Sequence, residues 1–302
     1  MDEAKRLGDE IKRLGATLTS TRCVSQAAIL YDFDNESHAR IERMTGKYRE
    51  SNELAVYRAL SERHLSVDVR ALSTVNNGMD LSGYKIVFFP HAHILTATDV
   101  KPLREYVENG GTLVFGCWSG YRNRLHWCYN SDEKAFYEAL TGVRVADFTV
   151  ATPGETSTLR FEHSGTMVPA PIFNEILAAA DGKVTTLASY QSDYYAGQPG
   201  VTLNQKGAGR VVHFGTFFTP ENATSLLDAL GIQDPLTAKA EVPPTIQATL
   251  RSNGEEEFYF FLNFTNQNQP LTFREPAFDL LEEQKLNGRT DIPPYGVRFV
   301  RW

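Results

Sequence analysis

Cysteine, long apolar runs and clustered positive charge are all scarce in this chain of 302 residues. No stretch approaches the ~18 consecutive apolar residues that a membrane-spanning helix requires. The N-terminal segment, MDEAKRLGDEIKRLG, is charged and amphipathic, so we expect no secretory signal. The three cysteines, Cys23, Cys117 and Cys128, form an odd and sparse set, and we expect them to be reduced thiols in the cytoplasm.

The charge balance excludes one large class of partners. Lys and Arg number 30 and Asp and Glu number 37, which gives a net charge of −7. Binding to nucleic-acid phosphates needs clustered positive charge, so this balance argues against it. Glycine-rich phosphate loops are also missing, since neither GxGxxG nor the Walker A pattern occurs, and we expect no cofactor. With 42% hydrophobic residues the chain has enough apolar side chain to fold.

Residues 2–15 have the pattern of an amphipathic helix. Leu7, Ile11 and Leu14 recur at helical spacing among alternating acids and bases, and Gly15 is the expected C-cap. An apolar stripe on a helix at the start of a chain has to pack against something. The segment therefore predicts the last helix of a preceding unit.

From residue 24 onward the pattern changes to alternating strands and helices. Strands are predicted at 24–32, 66–72, 84–90, 112–117 and 209–218, and helices at 53–64, 96–111, 132–142 and 221–231. This alternation is typical of an α/β fold with a mainly parallel sheet and helices on both faces. Residues 149–205 are less regular and predict extended segments and loops inserted before the last strand.

A proline-containing linker, 234–244, precedes a different pattern. Strand signals follow without helical segments between them, at 245–253, 256–265, 270–276 and 297–302. They predict a small antiparallel β-sandwich domain. The predicted division is therefore a leading helix at 1–20, an α/β domain at 21–235 and a β-domain at 236–302.

Cys117 is the first candidate for a nucleophile, because it ends a buried strand, where α/β folds present such groups. His213 ends another strand and Glu221 lies nearby in sequence, so a triad like that of class I glutamine amidotransferases is an alternative. The spacing argues against it. A nucleophile elbow needs small residues two positions before and after the nucleophile, and those positions hold Phe115 and Ser119. A buried structural cysteine and a strand histidine are the favoured interpretation.

Metal ligands and catalytic carboxylates give weaker signals. His91 and His93 can face one way on an extended segment, but no third ligand stands at recognisable spacing, so we expect no metal. Glycosidases that retain configuration need two carboxylates about 5–5.5 Å apart. Three Asn-Glu pairs occur; those of Glu53 and Glu175 lie in helical patterns, and only Glu36, which follows a strand, is a candidate.

The stretch GCWSGYRNRLHWCYN at 116–130 is the most unusual in the sequence. It interleaves aromatic residues with arginines after a buried strand, where loops of α/β proteins carry function. Such residues dominate the binding energy of protein interfaces, so a subunit contact is favoured over the stacking of a sugar. The candidate contact residues are Trp118, Tyr121, Arg122, Arg124, Trp127 and Tyr129.

The order of these segments resembles the C-terminal half of the glycoside hydrolase family 42 β-galactosidases. FYFFLNFT (258–265) and PPYGVRFVRW (293–302) are similar to the small C-terminal β-domain of that family. Five earlier segments resemble successive elements of its trimerisation domain: AILYD and the acidic loop after it (27–36), YRALSERHLSVDV (57–69), LSGYKIVFFP (81–90), LREYVENGGTLVF (103–115) and GAGRVVHFGT (207–216). The resemblance covers nearly the whole chain.

This resemblance implies an assembly role without catalysis. Members of the family carry a catalytic barrel, then an amidotransferase-like, flavodoxin-like trimerisation domain, then a β-domain, and both catalytic glutamates belong to the barrel. Such a barrel takes about 250 residues, which leaves no room for one here, and residues 2–15 resemble only its final helix. The resemblance implies no catalytic residue in this chain, which would be a truncated gene product or a stand-alone paralogue. The implied partners are identical copies in a homotrimer and a barrel that is missing or separately encoded.

Two other functions stay open. One is a hydrolase of the amidotransferase type that depends on Cys117, and the other is a carbohydrate-binding module that uses the aromatic residues of 118–129. Reactivity of Cys117 toward an alkylating reagent would indicate the hydrolase. A change in tryptophan fluorescence on titration with galactose would indicate the carbohydrate-binding module.

Overall fold

The computed structural model describes residues 2–42, 48–130, 132–151, 157–180 and 184–302. The helices of these residues are α1 (Asp2–Ser20), α2 (Phe33–Ile41), α3 (Tyr48–Glu62), α4 (Leu72–Asn76), α5 (Ala97–Glu108), α6 (Ala135–Thr141) and α7 (Pro220–Ala229). The strands are β1 (Arg22–Cys23), β2 (Ala27–Tyr31), β3 (Val67–Ala71), β4 (Ile86–Phe89), β5 (Thr112–Phe115), β6 (Val143–Val150), β7 (Ser157–Phe161), β8 (Met167–Ala170), β9 (Phe173–Ala179), β10 (Thr185–Tyr190), β11 (Pro199–Lys206), β12 (Gly209–Phe214), β13 (Ala240–Glu241), β14 (Ile246–Ser252), β15 (Glu257–Asn263), β16 (Gln269–Asp279), β17 (Gln284–Ile292) and β18 (Val297–Arg301).

The chain divides into two compact units. The α/β unit comprises Gln26–Ala59 and Val67–Ile232. The β unit comprises the chain up to Ser25 together with Leu60–Ser66 and Gln233–Trp302. Among the helices described, none is both long enough and apolar enough to cross a membrane.

The α/β unit contains a nine-stranded sheet that is parallel in one half and antiparallel in the other. Its strand order is β3-β2-β4-β5-β12-β11-β10-β7-β8. Pairs from β3 to β12 are parallel, and pairs from β12 to β8 are antiparallel. The predicted α/β class is confirmed, whereas the predicted mainly parallel sheet is right only for the first half. Most antiparallel strands come from residues 149–205, because their short connections suit hairpins and cannot span a parallel crossover.

Burial explains why the central strands of this sheet are unbroken apolar runs. Every residue of β4 and β5 is buried, as expected of strands covered on both faces. Helix α5 buries Val100, Leu103 and Val107 in the same core, at the spacing of one helical face. A capping box fixes the start of this helix: the Thr96 hydroxyl accepts from the Asp99 backbone, and the Asp99 carboxylate accepts from the Thr96 backbone.

Two segments near the ends of the parallel strands differ from expectation. Residues 33–41, expected to begin as a loop, form α2, because the Asp32 carboxylate caps the first turn by accepting from the Asn35 backbone amide. Asn174 and Glu175, expected in a helical pattern, lie on β9, which pairs antiparallel with β6. The apolar residues of β9 do recur at helical spacing, but pairing with β6 overrides that local pattern.

The β unit is built on one sheet of seven strands. Its order is β1-β14-β15-β18-β16-β13, with β17 paired to β16 and every pair antiparallel. Strand β16 pairs with β13 and β18 at different points along its length and shifts register between Phe273 and Ala277. A shift of this kind bends a strand. The predicted antiparallel class is therefore right, but a single bent sheet replaces the two sheets of a sandwich in the described residues.

Helix α1 belongs to the β unit and continues beyond Gly15, which is an interior residue and not the predicted C-cap. Leu14 is buried in a cluster with Phe258. Leu7 and Ile11 are each 56% exposed. The predicted apolar stripe is thus used for packing only toward the C-terminal half of the helix.

Candidate functional site

The sequence-predicted site residues gather at one edge of the nine-stranded sheet. Strands β2, β4, β5 and β12 run in the same direction, so their carboxyl ends lie together at the edge where α/β proteins bind ligands. In the described residues this edge carries a buried carboxylate, a set of stacked histidines and a loop at 121–130.

The turn after β5 has the form of a nucleophile elbow with a tryptophan at its apex. Trp118 has a φ of 62°, in the left-handed region, and Gly116 and Gly120 stand two residues before and after it. A Cβ on Gly116 would lie 2.2 Å from the Pro90 carbonyl oxygen, and Gly120 has a φ of 69°, so both positions require glycine. A nucleophile elbow has small residues two positions before and two positions after its apex. Cys117 lacks this pattern because Phe115 precedes it, whereas Trp118 has a glycine at both positions. An indole ring therefore occupies the place of a nucleophile.

The carboxylate of Glu175 joins this turn to two strands. Glu175 is fully buried, and its Oε1 accepts from the Trp118 backbone N–H and from the Tyr121 hydroxyl, each at 3.0 Å. Its Oε2 lies 2.7 Å from Nε2 of His213. On the other side of that imidazole, Nδ1 lies 2.7 Å from the Tyr137 hydroxyl. These contacts satisfy a carboxylate that has no access to water, which a buried acid requires.

Cys117 is buried beside this network. It packs in a small cluster with Trp118 and Phe173. Burial raises the pKa of its thiol well above the ordinary value, and the negative charge of Glu175 raises it further. A reactive cysteine needs a cationic and partly exposed environment. The imidazole of His213 is already engaged by Glu175, so the contacts of Cys117 are those of a packed, protonated thiol.

Four histidines from three segments cluster around the stacked pair of His38 and His93 at the same edge: His38 on α2, His91 and His93 after β4, and His126 on the loop. We call them the histidine stack. The rings of His38 and His93 are 4.5 Å apart with an interplanar angle of 21°, and the Nδ1 atoms of His38 and His126 are 3.3 Å apart. Nε of Arg122 donates to Nε2 of His93 at 3.0 Å. Burial and nearby positive groups lower the pKa of His93 to about 2 and also lower that of His38.

Arg124 holds the 121–130 loop against the start of α2. Its Nη1 lies 2.8 Å from the Asp32 carboxylate and 2.9 Å from that of Asp34, and its Nη2 lies 2.9 Å from that of Asp99. The side chains of Asp32 and Asp99 are only 10% and 4% exposed. A network of partly buried pairs fixes geometry better than an isolated surface pair does, so the loop is anchored at Arg124.

This region exposes three large apolar side chains. Leu125 and Trp127 of the loop are 68% and 70% exposed, and Phe33 at the start of α2 is 73% exposed. Phe33 lies between the two aspartates that contact Arg124. We call Phe33, Leu125 and Trp127 the loop face. Exposed apolar side chains on an anchored backbone are typical of interaction surfaces.

The remaining predicted residues have contacts within the fold. Glu36 lies on α2 and pairs with Arg40 one turn later, at 2.9 Å. The hydroxyl of Tyr129 donates to a backbone carbonyl at 3.0 Å. His91 and His93, considered as metal ligands, belong to the histidine stack, and the described parts of the chain contain no group of three side chains that could hold a metal ion.

Glu175 is the residue that sequence reasoning missed. Glu221, considered as the acid of a triad, lies in the first turn of α7, whereas the carboxylate that contacts His213 belongs to Glu175. The sequence did contain a signal: Glu175 stands within the apolar segment FNEILAA, and an acid that is buried with such a segment needs a partner. No comparable signal existed for His38 and His126, whose contact arises only from tertiary packing.

Two protein families match the chain. Residues 25–236 match the family described as a β-galactosidase trimerisation domain, and residues 245–301 match the family described as a β-galactosidase C-terminal domain. The curated relatives include β-galactosidase Pbg of Clostridium perfringens, 25% identical over 99% of this chain and 44% of its own length. β-Galactosidase LacZ of Lactobacillus acidophilus is 26% identical over 99% of this chain and 44% of its own length. The chain thus spans less than half the length of these relatives.

Solved structures show the same fold. A β-galactosidase from Bacillus circulans sp. alkalophilus is 20% identical, with a TM-score of 0.85 over 98% of this chain and 44% of that chain. A catalytic mutant of a GH42 β-galactosidase from G. stearothermophilus is 22% identical, with a TM-score of 0.86 over 99% of this chain and 43% of that chain. The nine-stranded sheet and the bent antiparallel sheet therefore belong to a fold already seen in experiment.

Thiol reactivity tests the burial of Cys117. Cys23 and Cys128 are exposed and Cys117 is buried, so a disulfide reagent near neutral pH should modify two thiols in the native protein and the third only after denaturation. The Cys117→Ser variant is the matched control and should keep both fast thiols. Rapid labelling of the peptide that contains Cys117 would contradict the burial.

Two substitutions of Glu175 test the buried network. Glu175→Leu leaves the Trp118 amide, the Tyr121 hydroxyl and the His213 imidazole without their acceptor, and should lower the free energy of unfolding by about 3–5 kcal/mol. Glu175→Gln keeps an acceptor oxygen, so its cost should be about 1–2 kcal/mol. Urea unfolding followed by tryptophan fluorescence measures both. Equal stability of the two variants would show that the network contributes little.

The pH dependence of stability tests His93. Its pKa is about 2 in the fold and about 6.5 in the unfolded chain, so unfolding takes up a proton between these values. The free energy of unfolding should therefore fall by about 1.4 kcal/mol for each pH unit below about 6.5. His93→Gln should remove this slope, and His163→Gln, at an exposed histidine, should retain it. An unchanged slope in His93→Gln would refute the assignment.

Proposed function

We propose a role in subunit assembly for this chain, which belongs to the glycoside hydrolase family 42 β-galactosidases through their trimerisation and C-terminal domains. In this role the α/β unit joins identical copies into a homotrimer and takes no part in bond cleavage. The observation that carries the proposal is the loop face, where Phe33, Leu125 and Trp127 are exposed beside the anchor of Arg124.

The anchored loop suits an interface for an entropic reason. Association costs free energy whenever a mobile segment has to be ordered, and a segment already fixed in the free chain avoids part of that cost. Arg124 contacts three carboxylates, which fixes the backbone beneath Leu125 and Trp127. A closed trimer uses heterologous contacts, so the loop face of one copy meets a different surface on the next. We expect Trp127 to contribute most, since tryptophan is enriched among binding hot spots.

Catalysis by the whole protein is a separate proposal. The chain spans 44% of the length of the β-galactosidases Pbg and LacZ, and the family resemblance assigns both catalytic glutamates to a barrel. We propose that hydrolysis of β-galactosides requires such a barrel, in the same polypeptide or in a separate one, and that this chain supplies the platform. By itself the chain is not expected to hydrolyse a β-galactoside.

The finer fold assignment, an amidotransferase-like trimerisation domain, has the elbow after β5 as its support. In that fold the apex of the turn carries the nucleophile, and here the apex is Trp118. The raised pKa of Cys117 argues in the same direction. A hydrolase that depends on Cys117 is therefore not favoured, and the relation to amidotransferases is one of architecture.

Three further assignments complete the proposal. We place trimerisation in residues 21–235 and the β-domain in 236–302, after a leading helix at 1–20. We place the protein in the cytoplasm, where the exposed thiols of Cys23 and Cys128 stay reduced. Binding of a sugar is less favoured than a subunit contact, because Trp118 is buried and of the two tryptophans of 118–129 only Trp127 offers a largely exposed ring.

Substitution of Trp127 by serine tests the assembly role. The unaltered chain should have a mass in light scattering of about three times 33.8 kDa. Trp127→Ser should raise the dissociation constant of the assembly at least about 30-fold, the effect of losing a hot spot worth about 2 kcal/mol. Trp127 is already exposed, so the circular dichroism spectrum should not change.

A matched control tests whether the effect of Trp127→Ser depends on the position of the residue or only on the loss of an exposed aromatic side chain. Phe264→Ser removes an aromatic side chain of the β unit that is 66% exposed, close to the 70% of Trp127, and should leave the assembly unchanged. A mass near 33.8 kDa for the unaltered chain would reject the assembly role. An oligomer that is unchanged in Trp127→Ser would show that the contact between copies lies outside the loop face.

A further inference from the structure

We infer that acid opens the loop face: proton uptake by the histidine stack releases the His126 side of the 121–130 loop from α2 and weakens the contact between copies. The inference rests on the assembly role proposed above and adds a means of regulating it. Its basis is the placement of the stack, which joins the two segments that carry the loop face.

The contact between His38 and His126 tolerates only one proton between its two facing nitrogens. His38 belongs to α2 and His126 to the loop, and their Nδ1 atoms lie 3.3 Å apart. At that distance one nitrogen donates and the other accepts. A second proton would place two donors and two positive charges face to face. The loop and the helix therefore stay joined here only while one of the two rings is neutral.

Arg122 imposes the same condition on the next ring. Its Nε donates to Nε2 of His93 at 3.0 Å, and its Nη1 donates to the His126 carbonyl oxygen at 2.6 Å. Nε2 of His93 must be unprotonated to accept, so the proton of the neutral ring is on Nδ1. A proton on Nε2 would remove this bond and set a cation against the guanidinium. Arg122 thus links the loop to the stack only while His93 is neutral.

The closed loop excludes protons that an open loop takes up. His38 is 9% exposed and His93 is 1% exposed, and burial lowers the pKa of both. In an open loop His38 returns to solvent, where a histidine has a pKa of about 6.5. Below that pH the open form binds a proton more readily than the closed form does. Proton uptake by His38 therefore favours opening increasingly as the pH falls.

Other charged groups face the stack from the elements packed around it. Glu42 favours a proton on His38, and Lys134, whose Nζ lies 3.7 Å from the centroid of the Tyr121 ring, disfavours one on His93. His91, the fourth histidine of the stack, has its ring 6.4 Å from that of His93. The carboxylates of the region are engaged by Arg124: Asp32, Asp34 and Asp99. Those ion pairs keep one end of the loop attached, so opening is confined to the His126 side.

Opening on that side reaches the loop face directly, because Trp127 follows His126. His126 has a φ of 63°, a left-handed conformation that is uncommon for a residue with a side chain. Its amide donates to the Asn123 carbonyl at 2.9 Å, and the Asn123 amide donates to the Trp127 carbonyl at 3.0 Å. The Asn123 carboxamide oxygen also accepts from the amides of Leu125 and Trp127. When the His126 side chain loses its contact to His38, these bonds keep the turn intact, so the turn moves away from α2 as a unit. Trp127 then leaves the position in which it can contact a second copy.

The test measures assembly and loop opening separately on the full chain. Light scattering between about pH 7.5 and about pH 5.5 should show the dissociation constant rising below pH ~6.5, with an unchanged circular dichroism spectrum. Hydrogen exchange of the 121–130 amides, corrected for the intrinsic rate, should rise over the same range. The exchange measurement does not require an oligomer, so it reports opening even if assembly fails.

Two variants separate the stack from other histidines. His38→Gln keeps a polar side chain on α2 but takes up no proton in this range, so both pH responses should be smaller than in the unaltered chain. His163→Gln, at an exposed histidine outside the stack, should follow the unaltered chain. A chain that is monomeric near pH ~7.5 rejects the assembly role, and the exchange result then decides the opening alone. Flat responses in the unaltered chain, or a full response in His38→Gln, overturn the inference.

Discussion

The buried carboxylate of Glu175 is the interaction on which the functional edge of the α/β unit depends. One oxygen accepts from the amide of Trp118 and from Tyr121, and the other contacts His213 on β12. A charge without water is stable only when all of these partners are in place. The left-handed turn after β5, the start of the 121–130 loop and the position of β9 against β12 are therefore fixed together. Displacement of the turn, the loop or β9 would leave the carboxylate buried in the core without its hydrogen-bond partners.

The contacts continue outward from that carboxylate in an unbroken order. Tyr121 leads to Arg122, which contacts His93 and the carbonyl of His126, and Arg124 then closes the loop onto three aspartates. Positions that hold reactive groups in α/β enzymes, the apex of the elbow and the ends of the strands, hold packed rings and the Glu175–His213 pair here. The edge has the architecture of an active site, but its chemistry is that of a scaffold for one exposed loop.

Much of the fold could be predicted from the sequence, because local and tertiary preferences agree there. The apolar runs at β4 and β5 and the capped helix α5 lie within a few residues of their predicted positions. Prediction failed where tertiary pairing overrides local spacing, as on β9, whose helical periodicity yields to antiparallel pairing with β6. The site was predicted less well for the same reason. Glu175 and His213 are 38 residues apart in sequence, and no spacing rule connects them.

The division of the nine-stranded sheet into a parallel and an antiparallel half has a consequence for the order of folding. The antiparallel strands from β7 to β12 follow one another closely along the chain, so their pairing closes short loops. The two halves join only when β12 meets β5, a pairing of Arg210 with Thr112 that spans nearly one hundred residues. Contacts of high sequence separation form late, because the entropy of loop closure has to be overcome first. Strand β12 belongs to both halves, so a sheet of antiparallel hairpins that forms first already contains the strand that pairs with β5.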